Sequence, residues 1–496
     1  MTGTGTVGTS GAEIETDILV VGGGVNGAGI ARDCAGRGHR VMLIERGDLA
    51  QATSSASSKL IHGGLRYLEH REFRLVREAL AEREVLLRSA PHIIWPLRFV
   101  LPHRPEMRPR WLIRLGLFLY DHLARRTTLP PAEGFCTAGH PYGAPLAPRI
   151  THAFAYSDAW VEDSRLVVLL ARDAAARGAL VRTRTAFVSA RRGAKMWEVS
   201  LSDGSRVRAR ALVNAAGPWV EQVLQRAGAS AAGRLRLVRG SHIVLPALYA
   251  GDQAYILQND DRRVVFVIPY EERYTLVGTT DVPHAGDAAE ARCTAEEEAY
   301  LCAAVSRQFA RPVEPGQIVW RFSGVRPLFD DGSEDPSAVT RDYVLALDRA
   351  GAPLLSVLGG KITTFRRLAE EAAGMIGAAL GRPGTPWTAT AVLPGGDLGG
   401  LSRSAFAEEM ARRYPWVEHL PRLIRRHGGE LPLLLADARG PADLGAPLGA
   451  GLTERELEWM REREWAMTAE DVLWRRSKLG LHMSPAEQAA LAERFR

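Results

Sequence analysis

Apolar and polar residues follow the periods of strands and helices along most of the chain, and the clearest pattern lies near the N-terminus. Residues Asp17–Val21 form a short, mostly apolar stretch that leads directly into the glycine-rich segment Gly22–Gly29. A helical pattern continues to about Arg37, and Arg40–Glu45 predicts a second strand. A strand, a helix and a strand within about 30 residues predict a β-α-β unit.

Beyond this unit, helices and strands are predicted in a mixed order. Segments with helical periodicity lie near Phe73–Arg88, Ser164–Arg177 and Phe365–Leu380. Short apolar segments predict strands near Val181–Val188, Trp197–Leu201, Arg206–Arg208 and Ala211–Asn214, with two more after Arg341. The apolar and β-branched stretch Val238–Asp281 predicts a large β-sheet.

Two segments interrupt this order and a third ends it. Ala52–Lys59 is rich in serine and predicts a loop. Proline and arginine are frequent between Pro91 and Pro148, which predicts an inserted, loop-rich segment. From about Pro383 the pattern becomes helical and rich in arginine, glutamate and leucine, which predicts a separate helical domain. A chain of 496 residues is long enough for two or three domains.

The glycine-rich segment has the spacing of a dinucleotide site. Gly22, Gly24 and Gly27 form a G-x-G-x-x-G pattern, which leaves room for a tight turn, a pyrophosphate and close helix–strand packing. The N-terminus of the following helix offers N–H groups and a positive partial charge to the phosphates. Glu45 ends the second strand, where a carboxylate accepts hydrogen bonds from ribose hydroxyls. The alternative is a glycine-rich turn without a ligand.

Two later segments indicate that the dinucleotide is a flavin. Ala211–Gly217 is a strand that ends in small residues, which can pack against the adenosine half of the cofactor. Gly359–Thr364 predicts a loop that exposes its backbone and leads into a helix, whose N-terminus would stabilise negative charge on a reduced flavin. For this second segment, an ordinary loop with a capping threonine is the alternative.

Composition and charge restrict the function without defining it. With 63 basic and 57 acidic residues, the net charge is +6, which fits an anionic substrate, an anionic cofactor or an acidic membrane surface. The four cysteines lack CxxC spacing, so we expect reduced thiols and no metal site. No window has the roughly 18–20 apolar residues of a membrane span. Residues 1–14 lack the features of a secretory signal and are expected to form a disordered tail.

One apolar segment has an unusual composition. Trp111–Tyr120 is interrupted only by Arg114 and Gly116, and Arg108 and Arg110 precede it. As a helix, it would place two arginines on one face and large apolar side chains over most of the rest. Two interpretations stay open: a helix that lies in a lipid interface, with its arginines at the phosphates, or a buried core helix.

Basic and polar residues accompany the segments predicted to bind the cofactor. They are His62, Arg66, Tyr67, His242, Thr280, Arg326 and Lys361. If these segments converge over the flavin, three fixed cations share one cavity, which suits a phosphate dianion better than a single carboxylate. His62 and His242 are candidate bases, since a histidine with a pKa of about 6.5 can take a hydroxyl proton at neutral pH.

Several uninterrupted segments carry a resemblance to a known family. They are ATSSASSKLIHGGLRYLEH from Ala52, RFVLPHRP from Arg98, GSHIVLP from Gly240, GTTDV from Gly278, SGVRPL from Ser323 and GGKITTFRRLAE from Gly359. From about Asp17 to Leu481, the chain resembles the bacterial FAD-dependent, membrane-associated glycerol-3-phosphate dehydrogenases of aerobic respiration. The resemblance implies an α/β fold with an added α part: a Rossmann-like FAD-binding domain of the D-amino-acid-oxidase type, a mixed-sheet substrate domain and a C-terminal helical domain.

The same resemblance implies domain bounds and an activity. The FAD-binding domain would comprise residues 15–90, 150–222 and 322–382, the substrate-binding cap residues 91–149 and 223–321, and the helical domain residues 383–496. The reaction would be the oxidation of sn-glycerol 3-phosphate at C2 to dihydroxyacetone phosphate, with FAD as cofactor and ubiquinone or menaquinone as electron acceptor. The protein would be a homodimer bound peripherally to lipids at the inner face of the cytoplasmic membrane, without a nucleic-acid partner.

Site residues also follow from the resemblance. Those expected to bind FAD are Gly22, Gly24, Asn26, Gly27, Glu45, Ser54, Ser55, Ser57, Ser58, Lys59, Leu60, His62, Gly217, Gly360, Lys361 and Thr363. Those expected to bind the substrate are Arg66, Tyr67, His242, Thr280, Arg326 and Lys361. Our own inference is that Arg326 and Lys361 hold the hydroxyl end and that Arg66 with Tyr67 anchors the phosphate. We expect His62 to act as the base, with His242 as the second candidate.

Three other functions remain as alternatives. The nearest is a peroxide-producing glycerol-3-phosphate oxidase on the same fold, because the cavity shape that controls oxygen access is not visible in a sequence. An amino-acid oxidase needs one carboxylate clamp, and the additional cations disfavour it. A basic scaffold that binds nucleic acid or membrane could use the positive charge, but it gives no reason for a complete β-α-β unit.

Overall fold

The computed structural model describes residues 13–65, 68, 72–124, 129–230, 233–261, 263–330 and 343–496. The first 12 residues of the predicted tail, Arg66 and Tyr67 lie outside these ranges. The strands are β1 (Glu13–Val21), β2 (Val41–Ile44), β3 (Leu60–Ile61), β4 (Ile94–His103), β5 (Glu133–Cys136), β6 (His152–Val161), β7 (Leu180–Arg182), β8 (Phe187–Arg192), β9 (Trp197–Leu201), β10 (Arg206–Asn214), β11 (Leu235–Pro246), β12 (Ala254–Gln258), β13 (Val264–Tyr270), β14 (Tyr274–Gly278), β15 (Val282–Pro283), β16 (Trp320–Phe329), β17 (Tyr343–Asp348), β18 (Leu354–Gly359), β19 (Pro447–Gly449) and β20 (Leu452–Thr453). The α-helices are α1 (Val25–Gly36), α2 (Phe73–Ser89), α3 (Arg110–His122), α4 (Asp163–Ala176), α5 (Val220–Arg226), α6 (Ala295–Ser306), α7 (Phe365–Ala379), α8 (Arg403–Arg413), α9 (Leu420–His427), α10 (Leu431–Leu435), α11 (Glu454–Glu464) and α12 (Pro485–Glu493).

The first sheet contains the predicted β-α-β unit. Its strand order is β17-β18-β10-β1-β2-β7, and the hairpin β8-β9 pairs with β10. Ile18 and Val20 of β1 pack with α1, α4 and α7 on one face, whereas Leu19 and Val21 pack with α5 and the hairpin on the other. Strands β1, β2 and β10 are parallel. Their carboxyl ends therefore meet at one edge, where ligands bind in sheets of this kind.

The second sheet lies beside this edge and has ten strands within the described residues. Its order is β15-β11-β14-β13-β12-β4-β6-β3, with β16 paired to β11 and β5 paired to β6. Helices α2 and α3 contribute Leu80 and Leu117 to the core on one face, and α6 contributes Leu301 to the core on the other. This sheet confirms the large β-structure predicted for Val238–Asp281 and extends it.

Segment 91–148 departs from the loop-rich prediction, because it contains β4 and α3. β4 pairs with β6 along its whole length, but with β12 only at Phe99 and Val100. Pro96 and Pro102 lie outside that short contact, so their missing N–H groups leave no gap in the pairing with β12. Prolines therefore gave a misleading signal of loop structure.

Several predicted boundaries also move. Val181–Val188 is two strands, β7 and β8, because the chain turns between them at Arg184, which has a φ of +53°. The two segments predicted around residues 206–214 are the single strand β10. Residues 13 and 14, expected to end the tail, begin β1 and pair with β10. Strands β3 and β6, and β16 in part, fall in ranges assigned to the FAD-binding domain but belong to the second sheet.

The C-terminal residues form the predicted helical region, with the small hairpin β19-β20 inside it. Helices α8 to α10 share one apolar cluster with Trp459, and α11 and α12 share another with the π-helical turn Asp471–Arg476. Buried ion pairs bind this region to the rest of the chain: Asp48 accepts hydrogen bonds from Arg475 and Arg476 at 2.6–2.7 Å. Among the described residues, no helix is long and apolar enough to cross a membrane.

Candidate active site

The turn from β1 into α1 leaves no space for side chains. Gly22 has a φ of +114°, and a Cβ there would lie 2.5 Å from the Ala215 carbonyl oxygen. A Cβ at Gly27 would lie 1.9 Å from the Gly22 carbonyl oxygen. Both positions therefore require glycine, as the sequence predicts.

The N-terminus of α1 faces the serine-rich loop. The Val25 N–H donates to Ser54 Oγ at 3.0 Å, and a Cβ at Gly24 would lie 3.2 Å from the same oxygen. The first turn of α1 contains no acidic residue. A helix N-terminus lined by small polar groups is suited to a pyrophosphate, because its N–H groups and partial positive charge face the anion.

Glu45 lies at the end of β2, beside the same turn. Its carboxylate accepts hydrogen bonds from the N–H groups of Gly23 at 2.7 Å and Gly47 at 2.8 Å. Burial raises the pKa of Glu45, while these two N–H groups oppose the shift. A carboxylate has about four acceptor positions, so two remain for the ribose hydroxyls of a dinucleotide.

The loop after β18 also reaches α1. Asn26 Nδ2 donates to the Gly359 carbonyl at 3.2 Å, and Gly360 has a φ of +105° with its Cβ position 2.9 Å from the Asn26 amide. Asn26 Oδ1 is buried and has no hydrogen-bond partner within the described part of the chain. Gly217, after β10, has a φ of +56° and open space around its Cβ position. The glycine cradle, the helix N-terminus and this buried acceptor fit FAD.

The serine-rich loop is held from behind by a buried ion pair. Lys59 Nζ donates to both carboxylate oxygens of Asp163 at 2.8 Å, and Ser57 Oγ donates to the same carboxylate at 2.8 Å. The side chains of Lys59 and Asp163 are fully buried. Leu60 in β3 is nearly fully buried. The Ser57 and Lys59 side chains thus bind Asp163, and the contacts of these two residues with FAD stay predictions. The hydroxyl of Ser55 donates to Ala52 at 3.2 Å.

Asp163 is a residue that the sequence analysis missed. It follows β6 and begins α4, where an acidic residue is common for its interaction with the helix dipole. That signal predicts a helix start and not a partner 104 positions away in the chain.

A row of paired residues brings both histidines to one face of the second sheet. Phe322, His242, Gly278 and Phe266 are direct neighbours across β16, β11, β14 and β13. The His242 ring stacks on Phe322 with centroids 4.8 Å apart, and the His62 ring lies 6.1 Å from that of Phe266. Gly278 separates them, and a Cβ there would lie 2.1 Å from the His242 ring.

His242 is buried and neutral at neutral pH. Ser58 Oγ lies 2.9 Å from Nε2, and Nδ1 is buried with no hydrogen-bond partner among the described residues. Burial lowers the pKa of His242 well below its usual value, and the positive charges of Arg326 and Lys59 lower it further. A buried ring nitrogen without a partner is suited to a polar ligand.

Arg326 lies on β16, four residues after Phe322, which pairs with His242 of β11. Its guanidinium forms an ion pair with Asp281 and donates to Thr279 Oγ1 at 2.8 Å. The Thr280 hydroxyl, predicted to bind the substrate, donates to Glu297 at 2.6 Å and accepts from the Ser241 N–H at 2.9 Å. The Thr280 side chain thus joins the segment after β14 to β11 and α6.

The His62 backbone lies beside the loop after β18. Its N–H and carbonyl are 3.4 Å and 3.5 Å from Thr363 Oγ1, and Lys361, in the same loop, is half-buried. The structure thus brings His62 next to the predicted flavin loop, and His242 next to Arg326 and Ser58. The predictions for Arg66 and Tyr67 fall outside the described residues.

Comparison with known proteins agrees with this geometry. Residues 17–366 match the family described as FAD dependent oxidoreductase. The chain belongs to this family, whose cofactor is FAD, and the predicted fold class is confirmed.

Similar proteins indicate which activities occur among relatives of this chain. The chain is 54% identical to a glycerol-3-phosphate dehydrogenase of Pseudomonas aeruginosa, over 96% of this chain and 94% of that protein. It is 50% identical to a D-erythritol 1-phosphate dehydrogenase of Brucella abortus, over 98% of both, and 48% identical to the aerobic glycerol-3-phosphate dehydrogenase of Escherichia coli, over 96% of both. The solved glycerol-3-phosphate dehydrogenase of Bacillus halodurans complexed with FAD is 25% identical and matches with a TM-score of 0.75, over 97% of this chain and 91% of that one.

Proposed function

We propose that this protein oxidises sn-glycerol 3-phosphate at C2 to dihydroxyacetone phosphate and passes the electrons to a membrane quinone. The observation that carries the proposal is the face of the second sheet on which His242, Arg326 and His62 gather beside the loop after β18. Two relatives that carry this activity in their names, at 54% and 48% identity, support the choice of substrate.

FAD, when bound, supplies the acceptor for the hydride that leaves C2. The chain's own task is to take the hydroxyl proton as the C2 carbonyl forms. We propose that His62 accepts this proton, because its backbone lies next to Thr363 in the loop after β18. His242 is the second candidate: its ring is neutral and Nδ1 is without a partner in the described part of the chain.

The cations would bind the two ends of the substrate. Arg326 is oriented by Asp281 and Thr279, which supports a fixed position for its guanidinium at the hydroxyl end together with Lys361. A guanidinium there would favour the developing alkoxide over the neutral alcohol. Arg66 and Tyr67 are assigned to the phosphate, for which an arginine offers paired donors.

A substrate panel tests the proposal. FAD-loaded enzyme is assayed with sn-glycerol 3-phosphate, D-erythritol 1-phosphate and glycerol, once with a short-chain quinone analogue and once with peroxide detection. We expect turnover of the first compound with the quinone analogue and no stoichiometric peroxide. Preferred turnover of D-erythritol 1-phosphate would identify the function of the Brucella abortus relative instead, and peroxide in step with substrate loss would identify an oxidase.

We also propose that the protein binds peripherally to the inner face of the cytoplasmic membrane, and the exposed side of helix α3 supports contact with lipids. Trp111 and Phe118 are 67% and 56% exposed, and Leu115 is also exposed. Arg110 and Arg114 are exposed on the same helix. Aromatic side chains inserted among lipid headgroups, with arginines at the phosphates, are typical of interfacial helices.

Vesicle binding tests this part of the proposal. Burying a phenylalanine is worth about 1.5–3 kcal/mol, so Phe118→Asp should weaken binding to phosphatidylglycerol-containing vesicles by roughly tenfold or more. Leu433→Asp is the matched control, because Leu433 is 60% exposed on α10. Equal binding by both variants would contradict the assignment of α3.

We also propose a homodimer, for which light scattering of the purified enzyme is the test.

A further inference from the structure

The buried side of α3 contacts a loop of the candidate site. Tyr120 is 2% exposed. Its hydroxyl accepts a hydrogen bond from the Gly63 backbone N–H at 2.8 Å and donates to the Asp158 carboxylate at 2.8 Å. Burial raises the pKa of Tyr120 well above its usual value, so the hydroxyl keeps the proton that it donates. One side chain thus joins α3, β6 and the residues after β3.

The other groups at this contact are fixed as well. Asp158 is fully buried in β6 and accepts a hydrogen bond from Arg83 of α2 at 2.7 Å. Gly63 has no spare space, because a Cβ would lie 2.6 Å from Leu80 Cδ2 and 2.7 Å from the Tyr120 hydroxyl. The Gly63 backbone therefore has a position defined by its surroundings.

The backbone of the neighbouring residue, His62, also contacts Thr363, but over a longer distance. Its backbone lies 3.4–3.5 Å from Thr363 Oγ1, which is long for a hydrogen bond. The contact between Tyr120 and Gly63, at 2.8 Å, is shorter, and a second acceptor for the Gly63 N–H, Asp158, lies at 3.4 Å. The hydroxyl from α3 is thus a short, direct contact to the peptide that joins His62 and Gly63.

We propose that Tyr120 is a positioning residue, which holds the Gly63 amide and thereby keeps the His62 ring where the substrate proton is taken. The inference rests on the proposed function, since that assigns the proton to the His62 loop. Tyr120 acts through Gly63 and leaves the chemistry to His62. Because Tyr120 belongs to the helix whose other side is exposed, a shift of that helix would reach the loop through this hydrogen bond.

The test uses full-length, FAD-loaded enzyme with Tyr120→Phe, which removes the hydroxyl and keeps the ring against Tyr156, 5.7 Å away. Hydrogen exchange of the peptide containing Gly63 reports the contact without substrate, and flavin bleaching by saturating sn-glycerol 3-phosphate reports the chemical step. We expect the Gly63 amide to exchange at least tenfold faster and bleaching to slow at least tenfold, with FAD content unchanged.

Tyr270→Phe is the matched control. Tyr270 is 1% exposed, and its hydroxyl has no hydrogen-bond partner within the described part of the chain, so neither measurement should change. Unchanged Gly63 exchange in Tyr120→Phe would overturn the inference, as would faster exchange with a normal bleaching rate, or slow bleaching that only follows lost FAD. A wild-type enzyme that the substrate fails to bleach would contradict the proposed function instead, and the two failures are thereby distinguished.

Discussion

Replacement of Asp163 by asparagine should be among the most destabilising single changes in the molecule. The Asp163 side chain is fully buried, and its carboxylate accepts hydrogen bonds from Lys59, Ser57 and the Ser164 N–H, all at 2.8 Å. Asparagine keeps the shape of the side chain but removes the charge that neutralises Lys59. The serine-rich loop would then lose the group that holds it, and with it the hydrogen bond between Ser58 and His242.

The size of the effect follows from burial. Breaking a buried ion pair by removing one partner costs about 3–5 kcal/mol, against about 0–1 kcal/mol for an exposed pair. Lys478 is also buried here, and burial together with the charge of Lys59 lowers its pKa to about 7. Without Asp163, two lysines would face each other with less compensation. A loss of about 3–5 kcal/mol is a large part of the roughly 5–15 kcal/mol that stabilises a typical domain.

Thermal unfolding followed by flavin fluorescence, together with the rate of flavin reduction, measures both consequences. Asp203→Asn is the control, because Asp203 pairs with Arg182 near the surface. We expect a clear fall in unfolding temperature and a slower reduction for Asp163→Asn, and neither for Asp203→Asn. Lys59→Met in the Asp163→Asn background should restore part of the stability, since it removes the uncompensated charge. Equal unfolding temperatures for Asp163→Asn and Asp203→Asn would refute the reasoning.

Three further predictions concern single side chains. His62→Gln should slow flavin reduction at saturating substrate by at least a hundredfold, as expected for the loss of a general base; a normal rate in His62→Gln together with a slow one in His242→Gln would move the role to His242. Arg66→Ala should weaken substrate binding by about 2–5 kcal/mol in a titration of the flavin absorbance, and unchanged binding would remove Arg66 from the phosphate site. The pKa of Lys478 is lowered from 10.5 to about 7 in the folded enzyme, so the unfolded chain binds more protons between these values and stability should rise with pH there; Lys478→Met should flatten this rise in unfolding temperature, and an unchanged slope would contradict the buried lysine as its source.

The sequence pattern was sufficient to predict features that depend on residues close together in the chain. The β-α-β unit, Gly22, Gly27 and Glu45 all lie within one such segment, and backbone geometry alone explains them. The strands of the second sheet were also predictable where β-branched residues alternate. β4 was not predicted, because its two prolines indicated a loop. The strand tolerates them because they lie outside its contact with β12.

Contacts between distant segments were beyond what periodicity indicates. Asp163 reaches Lys59 across 104 positions, and Tyr120 reaches Gly63 across 57. Thr280 shows the converse: its segment is at the site, but its hydroxyl binds Glu297. A sequence motif therefore locates the loop, whereas the direction of each side chain depends on the partner that packing brings to it.

Anaerobic mixing of the FAD-loaded enzyme with sn-glycerol 3-phosphate tests the central claim most directly. We predict that the absorbance band of the oxidised flavin disappears with this compound, at a rate that saturates with concentration, and persists with its mirror-image phosphate and with glycerol. A flavin band that sn-glycerol 3-phosphate leaves unchanged would contradict it.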